Sequence, residues 1–301
     1  MLTHVYVEPN AGVTPIIQII NSARREVNLE TYFLSDRKIL NALKNAEKRG
    51  VKVRIMLEEK PYDMPSWKVQ KEKREALATG AAFKWAPYRF TSHGNHWSFD
   101  HAKFVCDTTT CEIGSPNFGW ADFHRNRDYL VTTSDHAIVA AANSVFNADW
   151  TRQHAPQWAH RVLVLSPGTS QAQLLSVISQ PGPIEIESEE LGDDGKILNA
   201  IAAKGKMARL ILPANISAQD RKNAEWLVKN NVQVRLLPVR PIFLHAKYIG
   251  ASNVAFVGSE NLSMVSLEDN REVGVLLHNP TNLQILSDTF NKDWANANPI
   301  N

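Results

Sequence analysis

The sequence predicts an α/β fold made of two similar α/β domains, residues 1–155 and 156–301, related by pseudo-two-fold symmetry. Each is a mixed sheet flanked by helices, and the functional site lies at their interface. Three observations predict this. A cassette occurs twice: His101-Ala102-Lys103, Gly114-Ser115-Pro116-Asn117 and Asn126-Arg127-Asp128 return as His245-Ala246-Lys247, Gly258-Ser259-Glu260-Asn261 and Asn270-Arg271-Glu272. Every equivalent pair is 144 positions apart, and Phe146 and Trp150 keep that offset to Phe290 and Trp294. Strand-like and helix-like stretches alternate in the same order in both halves. Between the halves, Pro156 and clustered polar residues interrupt the pattern near 154–160, which reads as the linker. So long a period means duplicated domains rather than a solenoid.

The elements follow in order. His4-Val5-Tyr6-Val7-Glu8-Pro9 and Arg161-Val162-Leu163-Val164-Leu165-Ser166-Pro167 each read as a short strand and turn. Apolar residues at helical spacing predict helices over 14–25 and 170–179. Strands are expected at 27–33 and 184–189. Ile39-Leu40-Asn41-Ala42 recurs as Ile197-Leu198-Asn199-Ala200 inside an amphipathic helix ended by Gly50 or Gly205, and buried strands follow at 51–57 and 207–212. The halves then diverge. The segment from Leu57 to His101 is longer than that from Leu212 to His245, and it holds Pro61, Pro65, Trp67, Trp85, Trp97 and a basic helix-like stretch at 68–74. It reads either as a surface helix with its tryptophans in the core, or as a lip over the site that touches lipid or stacks on bases.

The bulk numbers set limits. With 44% apolar and 21% charged residues the chain is of ordinary globular composition, and its formal charge of +2 excludes a basic nucleic-acid tail. No apolar run approaches the ~18 residues that span a bilayer. The opening residues lack a basic patch followed by an apolar stretch, so no signal peptide is expected in this chain. Cys106 and Cys111 flank Asp107-Thr108-Thr109-Thr110, which reads as a hairpin turn. Opposed strand residues come close enough for a disulfide. A disulfide would favour a secreted or periplasmic setting, and two reduced thiols facing each other are the alternative.

The cassettes carry chemistry. In a strand, residues i and i+2 share a face, so His101 and Lys103 point the same way, as do His245 and Lys247. A two-fold arrangement brings all four together. Two lysines would offset the charge of a phosphodiester and of its five-coordinate transition state. Asn117 and Asn261 would donate amide hydrogen bonds to the same oxygens, with Ser115 and Ser259 beside them. Imidazole titrates near neutrality, so one neutral histidine can attack phosphorus while the other, protonated, serves the leaving alcohol. Asp128 and Glu272 are expected to hydrogen-bond an imidazole; ion pairs with Arg127 or Arg271 are the alternative.

With its duplicated His-x-Lys and Gly-Ser-x-Asn, the chain resembles the phospholipase D superfamily over essentially its whole length, including the Phe-x-x-x-Trp that closes each half. The resemblance implies a site between two α/β domains, a covalent phosphohistidine, no cofactor, and no metal in the chemical step. It also implies His101 as nucleophile and His245 as acid/base. The family's aspartate five residues after the lysine is replaced by Thr108 and Ser252, with Asp107 one residue early in the first copy, which puts the local turn in question. The leading expectation is a monomeric phosphodiesterase acting on phospholipid head groups, by hydrolysis or by transfer to alcohols. It would meet membranes only at their surface. A nuclease is the alternative, with 68–74 and Arg125/Arg127 supplying part of a groove for the backbone. A lipid-joining synthase is a further reading, and a non-catalytic scaffold is disfavoured by two intact cassettes. His93 and His96 have a spacing that could ligate metal, but no cysteine or carboxylate cluster joins them. His124 and Arg125 read as pocket rim or solvated surface, and Trp150 and Trp294 as core.

Overall fold

The computed structural model describes residues 2–300. The first sheet contains β1 (Thr3–Val7), β2 (Glu26–Thr31), β3 (Lys52–Leu57), β4 (Ala82–Trp85), β5 (Lys103–Cys106), β6 (Cys111–Gly114) and β7 (Tyr129–Thr133), in the spatial order β1-β7-β6-β5-β2-β3-β4. The second contains β8 (Val164–Ser166), β9 (Ile184–Ser188), β10 (Ala208–Pro213), β11 (Gln233–Leu237), β12 (Lys247–Gly250), β13 (Ala255–Gly258) and β14 (Glu272–Leu277). Its order is β8-β14-β13-β12-β9-β10-β11, with β15 (Asn298–Pro299) added at the edge. The two orders are the same, strand for strand. In both, three parallel strands adjoin an antiparallel meander, so the sheets are mixed as the repeat implied.

The helices repeat likewise. α1 (Thr14–Ser22) and α2 (Arg37–Lys48) correspond to α6 (Ser170–Ile178) and α7 (Gly195–Lys204), with α3 (Ser66–Leu77), α4 (Trp120–His124) and α5 (His136–Trp150) in the first half, and α8 (Ala218–Lys229) and α9 (Pro280–Asn296) in the second. Local chemistry fixes their starts. Asp36 and Asp194 each accept two backbone N–H bonds at the N-termini of α2 and α7, and Asp135 and Asn279 do the same for α5 and α9. The predicted terminators hold: Gly50 and Gly205 lie just past α2 and α7 with φ of 81° and 50°.

The inner faces of both sheets, with α5 and α9, share one core built around Phe104, Tyr129, Phe146, Tyr248, Val257 and Phe290. α1 and α2 cover the outer face of one sheet, and α6 and α7 that of the other. Trp150 and Trp294 pack against the shared core, as expected, stacked on Phe146 and Phe290 at 5.6 and 5.7 Å. Among the described residues, no helix is long and apolar enough to cross a membrane.

Cys106 and Cys111 face each other across the β5–β6 hairpin and form a disulfide. The turn between them is closed by Asp107, whose Oδ1 accepts from the backbone N–H groups of Thr109 and Thr110 at 2.6 and 2.7 Å. The displaced aspartate therefore still closes the hairpin.

Candidate active site

β5 and β12 each begin with the cassette lysine, and each is preceded by the cassette histidine and an alanine buried in the shared core. That alternation turns His101 and His245 out of the core and into one pocket of about 600 Å³, lined also by Asn117 and Asn261. Lys103 and Lys247 lie beneath it, fully buried. Their Nζ atoms donate to the carbonyls of His101 and His245, both at 2.6 Å. The asparagines are set by their backbone: Asn117 N–H donates to Asp122 Oδ1 at 3.2 Å and Asn261 N–H to Ser266 Oγ at 2.8 Å. The motif glycines permit close approach. A Cβ on Gly114 would stand 2.4 Å from the Tyr129 carbonyl oxygen, and one on Gly258 2.6 Å from Gly274 Cα.

Each histidine is held by the opposite half. His101 N–H donates to the Arg271 carbonyl at 2.9 Å and His245 N–H to that of Arg127 at 3.1 Å. His101 Nδ1 lies 3.0 Å from Glu272 Oε2, and His245 Nδ1 lies 2.9 Å from Asp128 Oδ1. Both Nδ1 atoms are committed to carboxylates, so both Nε2 atoms are left for the pocket. The arginines do not pair with these carboxylates. Arg127 forms a bidentate pair with Asp293 (2.5 and 3.1 Å), and Arg271 one with Asp149 (2.7 and 3.1 Å). Their remaining Nη1 groups donate to the carbonyls of Glu8 and Ser166.

The two imidazoles are electrostatically unlike. Burial lowers the His101 pKa, Lys103 and Lys247 lower it further, and Glu272 does not compensate, so it falls to about 4. Burial would also lower His245, but Asp128 and Glu189 outweigh it and raise the pKa above its ordinary value. Glu189 explains the difference. Its Oε2 lies 2.7 Å from Lys247 Nζ and 3.4 Å from His245 Nε2. Although burial opposes ionisation, those two cations hold its pKa down to about 2.

The serines correct the sequence expectation. Ser115 and Ser259 are fully buried and do not line the pocket. Ser115 Oγ donates to Asp128 Oδ1 at 2.6 Å and accepts from Tyr129 N–H. Ser259 Oγ is engaged with the backbone of Val273. They brace the carboxylates and strands behind the imidazoles. Glu272 has further support from Ser266 Oγ at 2.7 Å and Asn270 Nδ2 at 3.0 Å, residues on or beside a π-helical turn, Val265–Asp269.

The insertion is the expected surface helix α3, and of its three tryptophans only Trp85 packs against the core. Trp67 and Trp97 are 63% and 51% exposed, and Trp97 lines the pocket with Tyr62. No residue of the basic stretch 68–74 does so. Arg125 and His124 stand with Trp120 outside the pocket lining: His124 stacks on the indole at 4.5 Å and Arg125 lies over it at 4.9 Å. His93 and His96 bond to the carbonyls of Thr91 and Arg89, and His93 stacks on Tyr88. Asp122, Asp128 and His245 offer ligand atoms within 4.8 Å of one another. However, Asp122 Oδ1 already accepts from Asn117 and Asn126, and Asp128 Oδ1 from Ser115 and His245. Asp128 Oδ2, by contrast, is buried without a partner, so hydrogen bonds occupy only part of this set.

Two pseudo-symmetric sheets meeting at paired histidines, lysines and asparagines define a phospholipase D superfamily protein. The chain belongs to the family described as "Cardiolipin synthase, PLD-like domain", whose model matches residues 16–150 and 187–294. A cardiolipin synthase of Clostridium perfringens (strain SM101 / Type A) is 23% identical over 337 residues, covering 96% of this chain and 69% of that protein. For a second C. perfringens cardiolipin synthase, from strain 13 / Type A, the figures are 28% identity, 53% of this chain and 33% of the relative's length. Among solved structures, a phosphatidylserine synthase of Haemophilus influenzae Rd KW20 superposes with a TM-score of 0.73 at 11% identity. The match covers 99% of this chain and 87% of that one. Polyphosphate kinase of Porphyromonas gingivalis gives 0.71 at 15%, covering 97% of this chain and half (50%) of its own. At these identities the superpositions show the fold alone.

Proposed function

We propose that the protein is a metal-independent phosphodiesterase that works through a covalent phosphohistidine, with phospholipid head groups as its substrates. The observation that carries the reading is the pair of imidazoles held through Nδ1 by carboxylates of the opposite halves, with both Nε2 atoms left to one pocket. In this reading His101 Nε2 attacks phosphorus, and the bond from phosphorus to the alcohol oxygen breaks. His245 Nε2–H gives its proton to that oxygen. Water then attacks phosphorus and passes a proton to His245, and the phosphorus–nitrogen bond breaks. An alcohol in place of water gives transfer instead of hydrolysis, which suits relatives named as synthases. Lys103, Lys247, Asn117 and Asn261 stabilise the phosphoryl oxygens. Asp128 and Glu272 keep the imidazoles in the Nδ1–H tautomer.

The unequal imidazoles support the inherited order of roles. A histidine neutral above about pH 4 suits the nucleophile, and one with a raised pKa suits the acid. The expected pH profile follows. kcat/KM should climb as pH rises through about 4 and His101 loses its proton, then stay level past the ordinary imidazole value of 6.5. It should fall on the alkaline side as His245 loses its acid proton and Lys103, brought by burial to about 7, loses its charge. A kcat/KM that drops between pH 6 and pH 5 would overturn the assignment of a neutral His101.

Turnover of bis(p-nitrophenyl) phosphate in excess chelator tests the reaction class. Activity should persist undiminished. Complete loss, restored by added divalent metal, would remove the metal-free mechanism. Parallel assays on phosphatidylcholine vesicles and single-stranded DNA test the substrate, and lipid is expected to be preferred. Among the described residues the pocket lining offers Glu189 and Glu190 but no lysine or arginine, which suits a polyanionic strand poorly.

A further inference from the structure

We propose that the cavity between Arg125 and Arg240 is a phosphate-binding site separate from the histidine pocket. Its ligand is a phosphate group carried by a second molecule, either a small phosphate anion or the head of an anionic lipid. The site goes beyond the phosphodiesterase reading and does not depend on it.

The cavity measures about 430 Å³ and is lined by Arg125, Asn126, Val239, Arg240, Pro241 and Phe243. The repeat locates it. Asn126, Pro241 and Phe243 stand 144 positions from Asn270, Trp97 and Phe99, which all line the histidine pocket. The cavity is therefore the counterpart, beside His245, of the flank beside His101. The two flanks differ in bonding. In one, Phe99 N–H donates to Asn270 Oδ1 at 2.8 Å. In the other, Phe243 N–H donates to the Arg125 carbonyl at 2.9 Å, which releases the Asn126 amide from that duty. One N–H of that amide goes to Asp122 Oδ1 at 3.3 Å, and the second is left for the cavity. The flanks also differ in charge. Arg125 stands where the other half has Asp269, and Arg240 where it has His96. Among the described residues no carboxylate lines the cavity, and neither guanidinium has an ion-pair partner. Arg125 lies over Trp120, its Cζ 4.9 Å from the ring centroid. A guanidinium laid over a ring keeps its N–H edge free. That edge, the Arg240 fork and the Asn126 amide offer donors from three side chains, which suits the several oxygens of a phosphate group. Val239, Pro241 and Phe243 give an attached organic arm an apolar wall.

Titration with inorganic phosphate, followed by tryptophan fluorescence at constant ionic strength in chloride, tests the site without turnover. The signal of this site is the part of the response that Trp120→Phe abolishes. The double variant Arg125→Gln/Arg240→Gln should weaken that binding at least ~10-fold, while turnover of bis(p-nitrophenyl) phosphate stays unchanged. Vesicles of phosphatidylcholine with and without phosphatidic acid separate the two sources. Displacement of phosphate only by the vesicles that carry phosphatidic acid would assign the lipid head, and its absence would assign the small anion. Equal affinity in the double variant, an equal response to added chloride, or no response that depends on Trp120 would overturn the site. So would turnover lost in step with phosphate binding, which would place both arginines in the histidine pocket. Single-stranded DNA binding there more tightly than phosphate would make the arginines part of a strand groove and overturn the site as well. A protein that binds phosphate here but turns over no diester would sink only the phosphodiesterase reading.

Discussion

His101→Ala and His245→Ala should each lower phosphodiester turnover by at least ~10²-fold, because each removes a group that changes protonation or bonding in the transition state. The two losses should differ in kind. In His245→Ala the nucleophile remains, and p-nitrophenolate leaves without help from an acid. Bis(p-nitrophenyl) phosphate should therefore still phosphorylate His101, and the adduct should persist because nothing activates water for its release. Mass spectrometry of the quenched protein should find the phosphoryl group on His101 in this variant and none in His101→Ala. An adduct on His245 in His101→Ala would reverse the roles, and near-normal turnover in either variant would refute a shared site. Glu272→Gln should act as a weaker His101 variant even though it lies in the other half, since Glu272 is the partner that fixes the His101 tautomer.

The repeat made much of this legible. Equal spacing of His101/His245, Lys103/Lys247 and Asn117/Asn261 could mean one composite site, and the strand period turned each histidine and lysine the same way. The crossing of the carboxylates was not legible. Spacing shows that Asp128 and Glu272 are equivalent, but it does not show which imidazole either one meets. That depends on how the sheets dock, and each bond joins residues more than a hundred positions apart. The serines misled for a related reason. Beside an asparagine that lines the pocket, Ser115 and Ser259 look like substrate ligands, yet both lie at strand ends where the hydroxyl meets the neighbouring strand's backbone. Glu189 left no signal in the repeat because its counterpart is a tyrosine. The comparison that finds matching residues passes over the position where the halves differ, and there the pocket acquires its charge.

The second large effect concerns the arginines next to those carboxylates. Arg271 is fully buried against Asp149 of α5, and Arg127 against Asp293 of α9, so each reaches from its own half into the terminal helix of the other. Asp149 is fully buried too, and Arg89 is its other cationic contact at 2.6 Å. Arg271→Ala would leave a carboxylate in the interior short of its main counterion, a change that typically costs 3–5 kcal/mol. Urea unfolding should show a large drop in midpoint. Lysine should not restore it, because an ammonium cannot reproduce two parallel N–H bonds to one carboxylate and a third to the Ser166 carbonyl. Replacing both charges with apolar residues of similar size, Arg271→Met with Asp149→Leu, should recover part of the stability, since the desolvation penalty goes with the pair while the partly exposed Arg89 loses its carboxylate. Activity should not recover alongside it. The Arg271 carbonyl receives the His101 N–H, and the next residue is Glu272, which orients the His101 ring. A stable double variant with a poor kcat would show that the clasp positions the nucleophile. A stable double variant with full activity would reduce the clasp to a purely structural ion pair.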